Sequence, residues 1–408
     1  MKEIFRIENP HWINILYNYE QTREIYSKLE QQMGHKLILS IEGPRRVGKT
    51  VLMHQLINYL IKSGVNPHDI LYHSFDKYSQ DPIKVLLEYE KVREKSLREG
   101  KAYLFFDELQ KVNDWQTNIK IIYDNYPNVK LIISGSSLRQ SKKESLAGRI
   151  FEYFVKPLSF KEYLLFSGKK NLLDVKEKLL INEYNIYLFK QYPDLAFDFN
   201  IDVKTYVGNI IKKVVFEDSE KFINNVNKDL LHSILNIILR SPGQIIEYTD
   251  LAKDLGTDRK IVSEYLEFLI NSSLIRKVYN FSNNARKIET RGKKFYPFCT
   301  TLIKYVDDNP ILSKVVETYV AFQIDSEFFW NERLEEIDFI LNENKRIGVE
   351  VKYKNTLDNT EIKTFNSQNS SRLKLAKKYL IIKENAKINF QDKTIITIPY
   401  YVLWKTKL

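Results

Sequence analysis

The 408-residue sequence has little of the chemistry that proteins use to hold transition metals or covalent cross-links. Its only cysteine is Cys299, which excludes an internal disulfide and a cysteine cluster for zinc. Its six histidines show no metal-ligand spacing, such as two histidines one helical turn apart. Any catalytic metal is therefore expected to have oxygen ligands, which magnesium and manganese prefer.

Long apolar runs are also absent. No stretch reaches the roughly 18 uninterrupted apolar residues of a membrane-spanning helix. The first twelve residues, MKEIFRIENPHW, lack the apolar run of a signal peptide. These absences predict a cytoplasmic protein. Hydrophobic residues at 43% and charged residues at 28% are typical of a globular chain, and its length predicts two or three domains.

Positive charge exceeds negative charge by 11 at neutral pH. This imbalance favours an anionic partner, with DNA or another nucleic acid first. The alternative is a genome-wide preference for Lys, Tyr, Asn and Ile, which the composition also fits.

Residues 43–50, GPRRVGKT, fit the phosphate-binding pattern G-x-x-x-x-G-K-[ST] without a mismatch. A short apolar run at residues 37–41 predicts a strand before the pattern. Apolar residues after it recur at helical spacing: Val51, Leu52, Leu56 and Leu60. The order strand, glycine-bearing loop, helix is the one that phosphate binding requires.

The residues of this loop have distinct predicted tasks. Gly43 and Gly48 allow backbone amides to close around phosphate oxygens, Lys49 reaches the terminal phosphates, and the Thr50 hydroxyl ligates Mg²⁺. The sequence therefore predicts an ATP site. Its predicted nucleotide-binding residues are Gly43, Pro44, Arg45, Arg46, Val47, Gly48, Lys49, Thr50 and Val51.

A second acidic element follows. Residues 103–106 form an apolar run typical of a buried parallel strand, and this run ends in Asp107 and Glu108. Asp107 is predicted to hold Mg²⁺, and Glu108 to polarise the attacking water. The alternative is that the acidic pair only begins a loop.

Residues 69–75 and 129–137 predict two further strands of the same sheet. Ser134 could sense the γ-phosphate or the water, or it could simply end a strand. Arg149 precedes a predicted fifth strand. It could neutralise charge on the transferred phosphoryl group, in its own subunit or in a neighbour, or it could be a surface arginine.

Five segments in this order, GPRRVGKT, LFFDELQ, IISGSS, LAGR and KPLSFKEYL, resemble the AAA+-type ATPase domain of a widespread archaeal and bacterial family. Its members continue into a C-terminal domain like that of restriction endonucleases. The resemblance implies a five-stranded P-loop sheet of the ASCE type. It also implies that Asp107 and Glu108 are the Walker B acids and Ser134 is sensor 1, and Arg149 matches the family's Gly-Arg pair.

The sequence departs from the family pattern at two places. Residues 191–195, QYPDL, stand where members usually have a Gly-Gly-Phe-Pro turn, and Cys299 stands near an expected aspartate. The first departure is expected to affect a domain contact, and the second a local cap or turn.

The middle of the chain has the layout of a winged helix-turn-helix. A first helix ends at Ser241, and a short helix at residues 248–256 is followed by a helix at 259–273 and a strand at 274–281. The first predicted groove contacts are Arg259, Lys260 and Ser263.

The segment after the helix at residues 259–273 is strongly basic, with Glu289 as its one acid. Its cations are Arg276, Lys277, Arg286, Lys287, Arg291, Lys293 and Lys294. They are predicted to contact DNA phosphates. The alternative is that the winged helix binds protein and the basic loop is merely solvated.

The last hundred residues contain IGVEVKYK, in which Glu350 and Lys352 share one face of a predicted strand. A turn joins this strand, residues 346–353, to a strand at 335–341 that carries Asp338. A predicted helix before this hairpin carries Glu317. A polar helix near residues 359–366 and two apolar strands, at 378–383 and 394–404, are predicted to follow.

This order resembles the PD-(D/E)xK nuclease fold, with Asp338, Glu350 and Lys352 matching its motif and Glu317 its helix acid. Ile337 replaces the leading proline. Carboxylates of Glu317, Asp338 and Glu350 are predicted to hold Mg²⁺ or Mn²⁺, with Lys352 orienting a bound water. The alternative is a nuclease fold retained for binding alone.

The predicted fold class is α/β, with an ATPase domain at residues 1–167, a helical connector at 168–227, a winged helix at 228–300 and a nuclease-like domain at 301–408. The predicted function is Mg²⁺-dependent ATP hydrolysis that controls a DNA-binding, DNA-cleaving C-terminal region. The alternative is an ATP-dependent switch that binds protein or DNA and has an inactive nuclease fold.

Overall fold

The structure, a computed structural model, describes residues 1–76, 80–136, 138, 146–174, 177–333, 335–342, 345–406 and 408. Part of the predicted hairpin turn, residues 343–344, and Ser137 of the predicted fourth strand lie outside the described residues. The chain divides into two compact units, Met1–Leu158 and Ser159–Leu408. The first unit ends nine residues before the predicted boundary at 167, and the predicted boundaries at 227 and 300 both fall inside the second unit.

The first unit contains a parallel sheet with the strand order β2-β3-β4-β1-β5. Its strands are β1 (Ile38–Glu42), β2 (Ile70–Ser74), β3 (Ala102–Asp107), β4 (Val129–Gly135) and β5 (Ile150–Phe154). Its helices are α1 (Lys2–Glu8), α2 (Tyr26–Gln31), α3 (Lys49–Lys62), α4 (Pro82–Arg93) and α5 (Trp115–Asn125). The five predicted strands are therefore present.

Continuous apolar runs explain why β1 to β4 form the interior of this sheet. Every residue of these four strands is buried, as expected for parallel strands that are covered on both faces. The strands are in register, with Glu42 beside Gly135 and Phe106 beside Ile133. The carboxyl ends of β1, β3 and β4 consequently meet at one edge of the sheet.

The second unit is built around an eight-stranded sheet with the order β15-β13-β11-β10-β9-β7-β8-β6. These strands are β6 (Ile245–Ile246), β7 (Ile275–Asn280), β8 (Lys293–Pro297), β9 (Phe328–Glu332), β10 (Glu335–Asn342), β11 (Arg346–Lys352), β13 (Lys377–Ile382) and β15 (Ile395–Pro399). A separate pair consists of β12 (Thr356–Leu357) and β14 (Lys387–Ile388).

The described helices of this unit include those predicted for the connector, the winged helix and the acid-bearing segment. They are α6 (Phe160–Phe166), α7 (Glu177–Tyr187), α8 (Pro193–Phe197), α9 (Val203–Lys212), α10 (Ser219–Phe222), α11 (Lys228–Arg240), α12 (Tyr248–Asp254), α13 (Arg259–Asn271), α14 (Ala285–Thr290), α15 (Leu312–Ile324) and α16 (Gln368–Ser371). A π-helical turn, Lys213–Asp218, continues α9.

One sheet spans the predicted boundary between the winged helix and the nuclease-like domain. Strand β7 pairs in parallel with β9, with Tyr279 opposite Phe328. The Asn280 side chain extends this pairing: its Oδ1 accepts from the Asn331 amide at 3.1 Å and its Nδ2 donates to the Asn331 carbonyl at 3.2 Å. One sheet therefore continues across the predicted boundary at residue 300.

Two predicted elements differ from the structure. Residues 359–366 form a turn and the short 3₁₀ helix Thr364–Asn366 instead of a helix. The Asp358 carboxylate accepts from the backbone and hydroxyl of Thr360 at 2.8 and 2.6 Å, and such local bonds compete with helix formation. The last predicted strand ends at Pro399, and the 3₁₀ segment Tyr400–Lys405 buries Tyr400, Tyr401 and Leu403 instead.

The two departures from the family pattern lie against each other. Gln191 is fully buried, and its Oε1 accepts from the Thr300 amide and the Thr300 hydroxyl, both at 2.9 Å. The Gln191 backbone N–H donates to the Thr301 hydroxyl at 3.1 Å. Tyr192 lies 3.8 Å from the sulfur of Cys299, measured from its hydroxyl oxygen. Gln191 and Tyr192 of the first departure therefore contact Cys299 and the two threonines that follow it.

Replacing Asn280 with alanine is expected to weaken the joint between β7 and β9. The substitution leaves the amide and carbonyl of Asn331 without their partners, so the free energy of unfolding should fall by about 1–3 kcal/mol. Urea denaturation of the full chain measures this. The exposed Asn309→Ala is the matched control and should change the free energy of unfolding by less than about 0.5 kcal/mol. Equal stability of the two variants would contradict a stabilising role for the Asn280 bonds.

Candidate functional site

The glycine-bearing loop between β1 and α3 has the backbone that its sequence predicts. Gly43 has a φ of 145°, and a Cβ there would lie 2.3 Å from the Val155 carbonyl oxygen. Gly48 has a φ of 93° and directly precedes α3. Only glycine adopts these conformations without strain, so both positions require it. Arg23, which was not predicted as a site residue, donates to the Val47 carbonyl at 2.6 Å and so holds the loop from outside.

Lys49 is buried at the start of α3, and its ammonium lies inside the loop. Its Nζ donates to the carbonyls of Gly43 at 3.0 Å and Pro44 at 2.8 Å. Burial lowers the pKa of Lys49, against the opposing effect of the Glu108 and Asp107 carboxylates. Phosphate oxygens can replace the two carbonyl acceptors without moving the lysine to another part of the site.

Asp107 connects three strands at the carboxyl edge of the sheet. Its Oδ2 accepts from the Thr50 hydroxyl at 2.6 Å and from the Tyr72 hydroxyl at 2.8 Å. Its Oδ1 accepts from the Ser134 hydroxyl, and from the Glu108 amide at 3.0 Å. Burial and the adjacent Asp107 carboxylate raise the pKa of Tyr72, which therefore remains a hydrogen-bond donor.

Mg²⁺ fits this arrangement of oxygen atoms. The Thr50 hydroxyl and the Asp107 carboxylate already lie in direct contact, and Mg²⁺ is usually held by one or two protein oxygens together with substrate phosphates. The predicted ligands Thr50 and Asp107 are thus brought together, with Lys49 beside Thr50 at the start of α3.

Glu108 has a left-handed backbone, with a φ of 54°. Its carboxylate accepts from the Gln110 side chain, which also donates to the Ser136 hydroxyl at 3.2 Å. Gly135 makes room for this glutamine, because a Cβ there would lie 2.1 Å from its Oε1. Gln110 and Tyr72 were not predicted as site residues. The sequence signal that could have found them is a side chain with a polar end in an apolar strand, as for Tyr72, or shortly after one, as for Gln110.

Arg149 lies at the other edge of the sheet. Its carbonyl accepts from the Ile38 amide at 2.8 Å, at the amino ends of β1 and β5. Its guanidinium pairs with the Asp124 carboxylate at 3.1 Å. The structure therefore does not bring Arg149 to the glycine-bearing loop that follows the carboxyl end of β1.

The predicted acids and lysine of the second unit do form a cluster. The Lys352 ammonium lies 3.1 Å from the Glu350 carboxylate, and the Val351 amide donates to Asp338 at 2.9 Å. Burial, and next the Asp338 charge, raise the pKa of Glu350. Burial opposes ionisation of Asp338, but nearby ammonium groups, Lys294 first, outweigh it and lower the pKa of Asp338.

Lys294, on β8, lies among the carboxylates of this cluster. Its side chain is 2% exposed, and its Nζ lies 2.5 Å from Glu336, 3.5 Å from Asp338 and 3.8 Å from Glu317. Burial opposes its charge, but these three carboxylates raise the pKa of Lys294 above its usual range. The prediction that Lys294 contacts DNA phosphate is wrong, because the ammonium is inside the protein.

A divalent metal does not fit the cluster as it is arranged. Within the described ranges, no group of three or more His, Cys, Asp and Glu side chains is placed to hold a metal ion. Glu317 instead accepts from the Tyr296 hydroxyl at 2.9 Å and lies 3.2 Å from the Lys314 ammonium. Glu317, Asp338 and Glu350 are brought together by the fold, but lysines neutralise them.

The structure separates the basic segment into internal and exposed cations. Arg276 pairs with Asp325, Lys277 lies 3.4 Å from Glu267, and Lys293 donates to two backbone carbonyls. The cations that remain toward solvent are Arg286, Lys287 and Arg291, and the predicted groove residues Arg259, Lys260 and Ser263 on α13 are also exposed.

Lys287 and Arg291 line a cavity of about 330 Å³. Arg372, about 80 residues later in the chain, lines it too, together with Asn283, Asn284 and Asn369. Glu332 is the one acid in its wall. Three cations from two distant segments thus converge on one polar surface.

In the part of the chain that the structure describes, no helix combines the length and the apolar character needed to cross a membrane.

Comparisons with known families divide the chain into three matched segments. Residues 35–164 match the model of an AAA domain. Residues 185–306 match a domain of unknown function, DUF8612, and residues 312–401 match another, DUF4143.

Related proteins match across much of the chain. An uncharacterized protein of Haemophilus influenzae is 26% identical over 286 residues, which are 67% of this chain and 68% of that protein. The uncharacterized protein MJ1637 of Methanocaldococcus jannaschii is 24% identical over 347 residues, which are 76% of this chain and 73% of the length of MJ1637. MJ1544 of the same organism is 29% identical, over 67% of this chain and 64% of its own length.

Among solved structures, RuvB of Thermotoga maritima matches with a TM-score of 0.33 and 17% identity, covering 62% of this chain and 86% of RuvB. A signal transduction ATPase with numerous domains from Pyrococcus horikoshii matches with a TM-score of 0.28 and 13% identity. The match covers 76% of this chain and 46% of that ATPase. The family match and the geometry of the glycine-bearing loop together identify residues 35–164 as an AAA-type P-loop ATPase domain.

Proposed function

We propose that the protein is a Mg²⁺-dependent ATP hydrolase whose nucleotide state controls DNA binding by its second unit. The hydrogen bonds that converge on Asp107 carry the first part of this proposal. They join the loop residue Thr50 to the predicted sensor Ser134 through one carboxylate. A change in the occupancy of the loop therefore acts directly on the strand end that carries Ser134.

The proposed roles follow from the positions of these side chains. Lys49 binds the terminal phosphates, while Thr50 and Asp107 hold Mg²⁺, which neutralises charge on the phosphates. Glu108 orients the attacking water, and its bond to Gln110 fixes the direction of its carboxylate. Ser134 holds the other oxygen of Asp107 and so keeps that carboxylate toward the loop.

The exposed cations of the second unit support DNA as the partner. Lys287, Arg291 and Arg372 form no ion pair with the described residues, so their charge remains available to phosphates. Side-chain amides beside them can donate to phosphate or sugar oxygens. The exposed residues of α13 provide a second group of contacts, as a recognition helix would.

Two interpretations of the nuclease-like cluster were open from the sequence: a metal-dependent site that cuts DNA, and a retained fold that only binds. Cutting requires a divalent ion among the carboxylates. The ammonium of Lys294 lies there instead, which favours the second interpretation. We therefore propose ATP-controlled binding of DNA without cleavage.

Replacing Lys49 with alanine is expected to lower the rate of ATP hydrolysis at least about 100-fold, because the charge that stabilises the transferred phosphoryl group is removed. Phosphate release in the presence of Mg²⁺ measures the rate. Lys62→Ala, an exposed lysine at the other end of the same helix, is the matched control and should retain wild-type turnover. Retained turnover in Lys49→Ala would refute the assigned ATP site.

Replacing Tyr72 with phenylalanine tests whether Asp107 holds Mg²⁺. The change removes one hydrogen bond to Asp107, so kcat should fall about 3- to 10-fold and the Mg²⁺ concentration for half-maximal rate should rise. Tyr103→Phe, a buried tyrosine of the neighbouring strand, is the control. An unchanged Mg²⁺ requirement in Tyr72→Phe would argue against this role of Asp107.

Replacing Lys287, Arg291 and Arg372 together with alanine should weaken DNA binding about tenfold or more. The slope of log K against the logarithm of the salt concentration should become less negative by roughly three, one for each lost phosphate contact. Fluorescence anisotropy with labelled duplex and single-stranded DNA over a salt series measures both quantities. A triple variant of the exposed Lys363, Lys387 and Lys393 has the same net charge and should keep the wild-type slope. Equal slopes for the two triple variants would place the DNA contact elsewhere.

A further inference from the structure

We propose that the Lys294 ammonium is a built-in counter-ion that occupies the cation position of the nuclease-like cluster, so that the cluster binds no divalent metal and instead joins β8 to β10 and α15. This inference concerns a site other than the ATP site. It holds whether or not the protein hydrolyses ATP.

The number and the charge of the partners match an ammonium group. A lysine has three N–H donors, and three carboxylates approach Nζ at 2.5, 3.5 and 3.8 Å. Glu336 and Asp338 are two residues apart on β10 and therefore share one face of the strand. Glu317 approaches from α15, so the ammonium is surrounded by acids from two different elements.

The charges of the cluster come within one of balancing without a metal. Four carboxylates, those of Glu317, Glu336, Asp338 and Glu350, are accompanied by the ammonium groups of Lys294, Lys314 and Lys352. With all four carboxylates ionised, three positive charges against four negative ones leave a single negative charge, and protonation of Glu350, whose pKa burial raises, would remove it. A divalent ion placed among the same oxygens would be repelled by a lysine that already contacts them.

Lys294 is also held in place by its backbone. It lies on β8 between two strands, where Val278 of β7 and Ile245 of β6 are its neighbours. Its ammonium lies 5.3 Å from the centre of the Phe329 ring, which closes another side. Moving the lysine away from the acids would therefore require its side chain to cross packed residues.

The Glu317 carboxylate has little freedom to turn toward a metal. The Tyr296 hydroxyl donates to its Oε1 at 2.9 Å, and the Gly243 backbone lies so close that a Cβ there would be 2.5 Å from the same atom. The acid that a nuclease would use as a metal ligand is thus bonded to the strand that carries Lys294. The cluster acts as a joint between segments that the sequence assigned to different domains.

Binding of Mn²⁺ alone, without nucleotide, to the full chain tests the inference. Bound Mn²⁺ is counted by electron paramagnetic resonance, and thermal unfolding is followed in parallel. Wild type and Asp338→Asn should bind the same amount of Mn²⁺. Lys294→Met, which keeps an unbranched side chain but removes the ammonium group, should gain one equivalent per chain and a Mn²⁺-dependent rise in Tm. The double variant Lys294→Met/Asp338→Asn should lose both gains.

Lys352→Met is the matched control, because it removes the motif lysine but leaves Lys294 in place. It should bind no more Mn²⁺ than wild type. The inference is overturned if wild type binds an equivalent that Asp338→Asn removes, or if Mn²⁺ supports DNA cutting that Asp338→Asn abolishes. It is also overturned if a folded Lys294→Met gains no Mn²⁺. Should Lys294→Met not fold, the comparison of wild type with Asp338→Asn still decides the question.

Discussion

A charged group that leaves water must find a partner inside the protein, and both candidate sites are organised by this constraint. In the first unit the Asp107 carboxylate is buried at the edge of the sheet and accepts from residues on α3, β2 and β4. In the second unit the carboxylates around Asp338 are satisfied by lysines. The two sites differ in whether a metal ion can reach the carboxylates. Side-chain hydroxyls around Asp107 leave the site suited to Mg²⁺, whereas an ammonium among the second group of acids fills the position of a cation.

The parts of the fold that could be predicted from the sequence have local signals. Buried parallel strands are continuous apolar runs, so the strands of the first sheet were found within one or two residues. The glycine-bearing loop was found because its backbone requires glycine at Gly43 and Gly48. The helices within residues 248–273 were found although neither begins with a side-chain cap, because Gly256 marks the break between them. The turn at Asp358 was missed because a side chain there competes with the helix for the backbone.

The parts that could not be predicted depend on residues far apart in the sequence. Tyr72 meets Asp107 across 35 residues, and Lys294 meets Asp338 across 44. A basic segment gives no indication of which of its lysines turn inward, since that is decided by the pairing of β8 with its neighbours. The position of Arg149 in the sheet also depends on residues that are distant in the sequence. Its place at the amino edge of the sheet follows from the direction of β5, which its own neighbours in the sequence do not reveal.

The pairing of β7 with β9 has a consequence for how such proteins can be divided and recombined. A domain that evolves as a module is usually bounded by exposed linkers that few contacts cross. Here a division near residue 300 would separate two hydrogen-bonded strands and expose two new edges, which are prone to pair with other chains. The segment from β6 to β15 is therefore expected to fold as one piece. A functional change in residues 228–300 has to be compatible with the strands that follow them.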